Sequence, residues 1–335
     1  MKKKVLFYTS CLDDINVQQF YRIDFDIIRD NGYDLTITDK RIELFKFWKY
    51  DILFEYFYTW GFFKAIPFWL GRKKIFFTGG IDSLNKNTTS FKRYLIQKVF
   101  FVLCYVLSTK CIIVSDNDME NIKEIYKGHF LKKLELSYHT IDVNKFLCDL
   151  NTKENLFLTI CWQGNELNIE RKGVDKALLV YKYLVTKKEF SNSKFIIVGK
   201  SGPATPKLQQ MINDYGLSQN VFLVGAVSEE NKVNYLKKSK YYFQLSYYEG
   251  FGLAALEAKA AGNIIIHSGK GGLKYVVGND GILVNRDNIE NECNHIYKEL
   301  IDYDQQKIYH ALDQVRMKYQ YDFRRQRFSE IFSSH

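Results

Sequence analysis

Two carboxylates in one short stretch set the chemical question. In "SYYEGFGLAALEAKAAG" (residues 246–262), Glu249 precedes a glycine–aromatic–glycine turn and Glu257 follows eight positions later among alanines. A helix packed on small apolar residues has no need of the second charge, because carboxylates are almost never fully buried unless paired. A ligand bearing both phosphate and hydroxyl groups would use it. "YYFQLS" has the composition of a strand, and "FGLAALEAKAAG" that of a helix stopped by Gly262. The turn between them therefore lies at a strand-to-helix switch, where ligands of open α/β sheets bind. Gly250 and Gly252 let the backbone approach a ligand, and the amides that follow can hold an anion at the helix N-terminus.

Helical spacing predicts Glu257 about two turns in, roughly 12 Å along the axis from Glu249. Its side chain then leans back over Ala254 and Leu253 toward the same ligand. Two carboxylates so placed suit hydroxyls at the two ends of a nucleotide sugar. They do not suit a glycosidase pair, whose carboxyls come within roughly 5 to 9.5 Å. The competing reading is an ordinary helix carrying a solvated glutamate.

A second set of charges is "ERKG" (residues 170–173), where Arg171 and Lys172 read by themselves as a solvated helix start. "DND" (residues 116–118) has the spacing of a divalent-metal pair. It also opens a helix after a strand, where acidic residues favour the helix dipole and cap the first turn, and that reading is preferred. The six histidines (His129, His139, His267, His295, His310, His335) have no ligand spacing and read as surface or packing residues. No metal is expected. Nor do the six cysteines (Cys11, Cys104, Cys111, Cys148, Cys161, Cys293) form a CxxC or a zinc set. They read as buried free thiols of a reducing, cytoplasmic compartment.

The elements that must position these groups alternate almost throughout between short apolar runs and helical patterns, the mark of parallel α/β architecture. "KKVLFYTS", "DLTIT", "DILFEYF", "KKIFFTGG" and "CIIVS" read as strands of a first half. "LFLTICW", "KFIIVGK", "NVFLVGA", "YYFQLS", "NIIIHS" and "GILVN" read as strands of a second, with the boundary near residue 150. "VQQFYRIDFDIIRDNG" reads as a helix of the first half, and the chain ends in one or two basic helices. The 335 residues suit two domains of ordinary size. With 46% hydrophobic and 26% charged residues, disorder is not expected.

A formal charge of +10 favours an acidic partner. No nucleic-acid module is evident. The opening "MKKKVLFYTSCLDD" reads as a first strand and not as a signal peptide. No run of about eighteen uninterrupted apolar residues predicts a membrane-spanning helix. Residues 44–74 and 91–110 nevertheless mix aromatic and aliphatic residues with lysines. They read as core elements, as a surface that dips into a membrane interface, or as both on different faces.

The string "SYYEGFGLAALEAKAAGNIIIHSGKGG" resembles the nucleotide-sugar signature of the family 4 (group 1) retaining glycosyltransferases of GT-B fold. The shared pattern is a glutamate, seven intervening residues, a second glutamate, an alanine–glycine pair, a strand and a Gly-Gly turn. "ERKGVDKALLVYKYL", "FIIVGKSGP" and "NVFLVGAVSEENKVNYLKKSKYYFQLS" resemble further pieces in the same order. The likeness is good over about residues 111–285 and poor before.

The resemblance implies two Rossmann-like domains facing a central cleft: residues 1–150 for the acceptor and 151–315 for the donor. A helix at 316–335 crosses back to the first domain. It implies that Lys172 neutralises the donor diphosphate; the arginine usual before that lysine is absent from "CWQGNELNIERKG", so either Arg171 or a residue of the other domain takes its place. Glu249 is then at the donor sugar and Glu257 on the ribose. Ser246, Gly250, Phe251, Gly252 and Leu253 line sugar and phosphate, Gly199 and Gly225 face the nucleotide, and Val227 flanks the base. In the first domain Asp82 stands nearest the family's acceptor-side acid, although a turn aspartate capping a helix reads equally well.

The implied activity is metal-independent transfer of a hexose from a nucleotide-diphosphate sugar, UDP- or GDP-linked, to a saccharide or lipid-linked acceptor with retention of configuration. Such an enzyme serves bacterial surface polysaccharide assembly and works in the cytoplasm, in part at the inner membrane face. A GT-B sugar-nucleotide epimerase and a non-catalytic nucleotide-sugar-binding subunit are the alternatives.

Overall fold

A computed structural model describes residues 2–9, 19–86 and 89–333. Cys11, His335 and the first two residues of "VQQFYRIDFDIIRDNG" lie outside the described residues. The chain divides into two compact units, Met1–Ile141 with Lys318–His335, and Asp142–Met317.

In the first unit, strands β1 (Lys4–Tyr8), β2 (Asp34–Thr38), β3 (Ile52–Tyr56), β4 (Lys74–Thr78), β5 (Lys110–Ile113) and β6 (Leu134–Leu136) form one parallel sheet in the order β2-β1-β3-β4-β5-β6. The second unit repeats the plan. Strands β7 (Glu154–Ile160), β8 (Lys194–Val198), β9 (Val221–Gly225), β10 (Ser239–Gln244), β11 (Ile264–His267) and β12 (Ile282–Leu283) run parallel in the order β12-β11-β10-β7-β8-β9. "GILVN" thus supplies only two paired residues.

Parallel strands are covered by helices on both faces, so their sequences are nearly continuous apolar runs. Every residue of β3 and of β11 is buried. Glu55 in β3 is the exception in kind. It lies 2.8 Å from Lys64 on the helix Gly61–Leu70, and burial pushes its carboxyl up to about 7 against the pull of that lysine.

The chain ends in a pair of helices, Gln306–Lys318 and Tyr321–Ser333. The last belongs to the first unit and is pinned there by a buried ion pair. Arg324 donates from Nε and Nη2 to the two oxygens of Asp24, at 2.6 and 2.7 Å. Tyr56 also donates to Asp24, and Phe332 stacks on Phe76 of β4 with ring centroids 4.4 Å apart.

Five cysteines (Cys104, Cys111, Cys148, Cys161 and Cys293) are free thiols. Among the described residues no helix is long and apolar enough to cross a membrane.

Candidate functional site

The site is built at the carboxyl end of β10. Gln244 closes that strand, and Ser246 follows two residues later, fully buried. Both donate to Oε1 of Glu249, Gln244 at 3.0 Å and Ser246 at 2.6 Å. The Tyr242 hydroxyl donates to Gln244 Oε1 at 3.0 Å, which fixes the amide with its NH2 toward the carboxylate. A third donor, Lys172 Nζ, reaches the same Oε1 at 2.7 Å. One oxygen thus accepts from an ammonium, an amide and a hydroxyl, and Glu249 is held in a single place. An ammonium carries three N–H donors, and Glu249 takes one of them.

Lys172 reaches this point because the helix Glu166–Lys172 stops there. Gly173 takes φ +70°, and a Cβ at that position would meet the Leu245 carbonyl oxygen at 1.9 Å. Only glycine combines the left-handed conformation with so close an approach. Tyr247 N–H donates to the Arg171 carbonyl at 2.7 Å, which ties the helix end to the segment after β10. The "GKGG" turn (residues 269–272) closes the other side, with Gly272 N–H donating to the Glu249 carbonyl at 2.6 Å. A Cβ on Gly271 would meet that carbonyl oxygen at 2.2 Å, so the paired glycines are a backbone-on-backbone contact.

The second carboxylate sits differently from its expected place. The helix runs Leu253–Ala260 with Gly252 as its N-cap at φ +97°, so Glu257 is little more than one turn in. The expected spacing along a common helix axis fails because residues 249–252 form the turn. Glu257 is only 5% exposed, and its Oε1 lies 2.7 Å from Lys232 Nζ, which also meets Glu229 at 3.0 Å. Burial raises the Glu257 carboxyl above the usual range, against the attraction of Lys232. Glu257 and Glu249 still act on common ground. Burial lifts the Tyr242 phenol well above its ordinary value, and both carboxylates push it further in the same direction.

The remaining residues gather by strand. Gly199 follows β8, its N–H donating to the carbonyl of Gly225 at the end of β9, at 2.9 Å. Half-buried Val227 lies in the loop before the helix Glu229–Lys238. Gly250, buried Phe251, Gly252 and half-buried Leu253 form the turn and the helix start. Arg171 points elsewhere. Its guanidinium donates to Asn168 Oδ1 at 3.0 Å and lines a pocket of about 450 Å³ with Asp175, Tyr247 and Arg286. Arg286, buried and 5.5 Å over the Tyr247 ring, carries no motif in the sequence. Gln244 and Lys232 were equally unmarked, the first being only a polar residue at the end of an apolar strand.

Asp82 belongs to the first unit, exposed at the start of the 3₁₀ turn Asp82–Leu84 after β4. Beside it lies Asp118, buried, whose Oδ2 accepts from Ile81 N–H at 3.2 Å. Burial first, and the Asp82 charge second, push Asp118 up to about 7. "DND" does open a helix, Asp116–Ile125, capped by Ser115 Oγ. Its two carboxylates serve different partners, since Asp116 accepts from Tyr138 and Lys318. Among the described residues no group of three His, Cys, Asp or Glu side chains is placed to hold a metal ion. Two histidines, His139 and His267, are buried, and burial lowers both below the usual imidazole range.

Residues 151–311 match the family described as Glycosyl transferases group 1. The capsular polysaccharide biosynthesis glycosyltransferase CapH of Staphylococcus aureus is 27% identical over 174 residues, 51% of this chain and 46% of that protein. The O-antigen chain mannosyltransferase RfbU of Salmonella typhimurium is 28% identical over 199 residues, 57% of this chain and 52% of that protein. The chain therefore spans about half the length of the curated relatives it matches.

Among solved structures, Anabaena Alr3699/HepE in complex with UDP superposes with a TM-score of 0.79 at 14% identity, covering 100% of both chains. WaaG, a glycosyltransferase involved in lipopolysaccharide biosynthesis, gives 0.70 at 12% identity, covering 99% of this chain and 100% of that one. At such identities these likenesses speak for the fold. Residues 151–311 thus match the Glycosyl transferases group 1 family, in a chain whose two parallel six-stranded units have the GT-B fold.

Proposed function

We propose that this protein transfers a hexosyl group from a nucleotide-diphosphate sugar, UDP- or GDP-linked, to a saccharide or lipid-linked saccharide acceptor. The anomeric configuration is retained, and the product feeds bacterial surface polysaccharide assembly on the cytoplasmic side. The observation that carries this reading is the junction of Lys172 and Glu249 at the carboxyl end of β10, inside the matched domain. The second unit takes the donor. The ammonium of Lys172 meets the negative charge that builds on the diphosphate oxygen as the C1–O bond breaks, the point where a fixed cation is worth most.

The acceptor hydroxyl oxygen forms its bond to C1 on the face the diphosphate leaves, and its proton passes to the departing phosphate oxygen. No carboxylate nucleophile is needed in such a step, and Glu249, whose Oε1 accepts from three donors, is assigned to the sugar hydroxyls. Ser246, Gly250, Phe251, Gly252 and Leu253 shape the sugar and phosphate pocket. Gly199 and Val227 border the nucleotide, and Glu257, steadied by Lys232, takes the ribose. Arg171 serves the diphosphate only by turning away from Asn168. Asp82 of the first unit stands on the acceptor side. The reaction needs no metal, because the cation at the leaving group is Lys172.

The test is a transfer assay with UDP- and GDP-hexoses and a lipid-linked saccharide, with the product anomer read by NMR. Retained configuration, a rate unchanged by a chelator, and a loss of about 10²–10³-fold in Lys172→Ala are expected. Epimerised sugar nucleotide formed without acceptor, or turnover untouched in Lys172→Ala, would overturn the proposal.

A further inference from the structure

The first unit carries an apolar surface that its own core does not use. In the helix Phe91–Leu107 the buried residues Tyr94, Gln97, Phe101, Cys104 and Tyr105 make one face, spaced as a helix in contact with a sheet requires. The opposite side should be polar. It instead presents Phe91, 72% exposed, with Leu95, Val99, Leu103 and Val106, all exposed. The neighbouring helix Gly61–Leu70 does the same with Phe63 (55%), Trp69 (51%) and Leu70, and Trp60 just before it is 63% exposed.

The two helices share one patch. The Trp60 ring lies 4.7 Å from that of Phe100 on the long helix and stacks on Phe63 at 5.7 Å. The short turn Phe47–Lys49, with Trp48 exposed, abuts the far end, where Phe47 packs against Gly71.

Charge decides what covers this face. Neither helix contains an acidic residue, and their sequences carry Lys64, Lys92, Arg93 and Lys98, followed by Arg72 and Lys73. Of the acidic side chains nearby, Glu43 pairs with Lys46 at 2.6 Å and Glu55 with Lys64 at 2.8 Å, while exposed Glu124 shares with Lys98 a pocket that Lys92 and Arg93 do not line. Exposed aromatic and aliphatic side chains edged by the exposed cations Arg72, Lys92 and Arg93 are what an anionic lipid surface accommodates, rings at the headgroup level and cations on phosphates. A protein partner would also need carboxylates at the rim and a complementary apolar shape. No described helix can span a bilayer, so the contact is peripheral.

We infer that the face formed by the helices Gly61–Leu70 and Phe91–Leu107 docks the protein on an anionic phospholipid bilayer. The inference deepens the proposed function, because a surface-bound enzyme meets a lipid-linked acceptor in two dimensions. It stands on this face alone and does not need the transfer reaction.

The test is flotation with equal-part phosphatidylglycerol–phosphatidylcholine vesicles, against phosphatidylcholine alone. Wild-type protein floats with the anionic vesicles and far less with the neutral ones, and added salt weakens the binding by screening. Lys92→Glu/Arg93→Glu lowers partitioning by more than about tenfold, since one basic residue near such a surface contributes about fivefold. Trp60→Ser/Phe63→Ser/Trp69→Ser abolishes it. All these positions are exposed, and unchanged near-UV circular dichroism confirms folding.

Glu257→Ala serves as the control: it floats like wild type whether or not the donor site is assigned correctly, so the two readings fail separately. Wild-type protein that ignores anionic vesicles, or variants that float equally well, overturn the inference. So does a wild-type dimer that only the aromatic variant dissolves, which would make the face a self-association surface.

Discussion

Glu249 and Glu257 differ in what holds them, and their substitutions separate accordingly. Glu249→Gln keeps the shape of the side chain but removes the charge opposite Lys172, 2.7 Å away. Turnover falls by about 10²-fold with little change in the urea midpoint, the pattern of a side chain that serves ligand more than fold. Glu257→Ala leaves half-buried Lys232 with only Glu229 at 3.0 Å. It costs about 1–3 kcal/mol of stability, read by urea unfolding, and weakens nucleotide binding in calorimetry. The turn after β10 and the helix behind it were legible from residue types and order, whereas Lys172 was singled out only through the family resemblance, and its 2.7 Å pairing with Glu249 was not foreseen. Gln244, Lys232 and Arg286 were not legible, because nothing in a strand-end glutamine or a helix-face lysine announces a partner tens of residues away. Arg171 was legible only as a charge, and its rotation onto Asn168 and the Tyr247 pocket is set by the helix end.

At the scale of elements, the match of Gly173 to the Leu245 carbonyl brings the first helix of the second unit to the end of β10. Gly173→Ala must relieve both φ +70° and a 1.9 Å contact with backbone. The conformation alone costs about 1–3 kcal/mol, and melting temperature and turnover drop together because Lys172 rides on the same helix end. A variant with unchanged melting temperature and rate would show that the segment after β10 yields easily. The strands were readable as apolar runs because both faces of each parallel sheet are covered. The start of the helix at Leu253 was not readable, since it depends on Gly252 adopting the left-handed region and on the docking of Gly271 and Gly272 under Glu249. Propensity places the alanine-rich run in a helix but does not say where the chain turns into it.

For the molecule as a whole, the return of the last helix to the first unit rests on Arg324 and Asp24, both buried. Replacing Arg324 by Met strands a buried carboxylate, and the first unit loses about 3–5 kcal/mol, seen as a lowered urea midpoint. The basic, aromatic end of the chain predicted helices, but not that one arginine would lock them 300 residues from its partner.

Stability should also fall with rising pH through a definite window. Asp118 and Glu55 have folded pKa values raised to about 7 from ordinary values of 3.8 and 4.5, burial being the main cause. The folded state therefore binds their protons more tightly than the unfolded chain does. Their contribution is fully present below the unfolded values and is lost as pH rises through about 7. Between pH 5 and pH 8 Asp118→Asn should show a shallower decline than wild type in urea unfolding; an identical slope would show that Asp118 ionises normally.

The central claim, that the second unit holds a nucleotide-diphosphate sugar on Lys172, is tested most directly by calorimetric titration of UDP- and GDP-sugars into wild type and Lys172→Ala. At least one nucleotide sugar should bind the wild-type protein, with an affinity at least about tenfold weaker in the variant, since a hydrogen bond to a charged group contributes about 1.5–3 kcal/mol. Absence of binding by every nucleotide sugar, or equal affinity for the two proteins, would contradict the account.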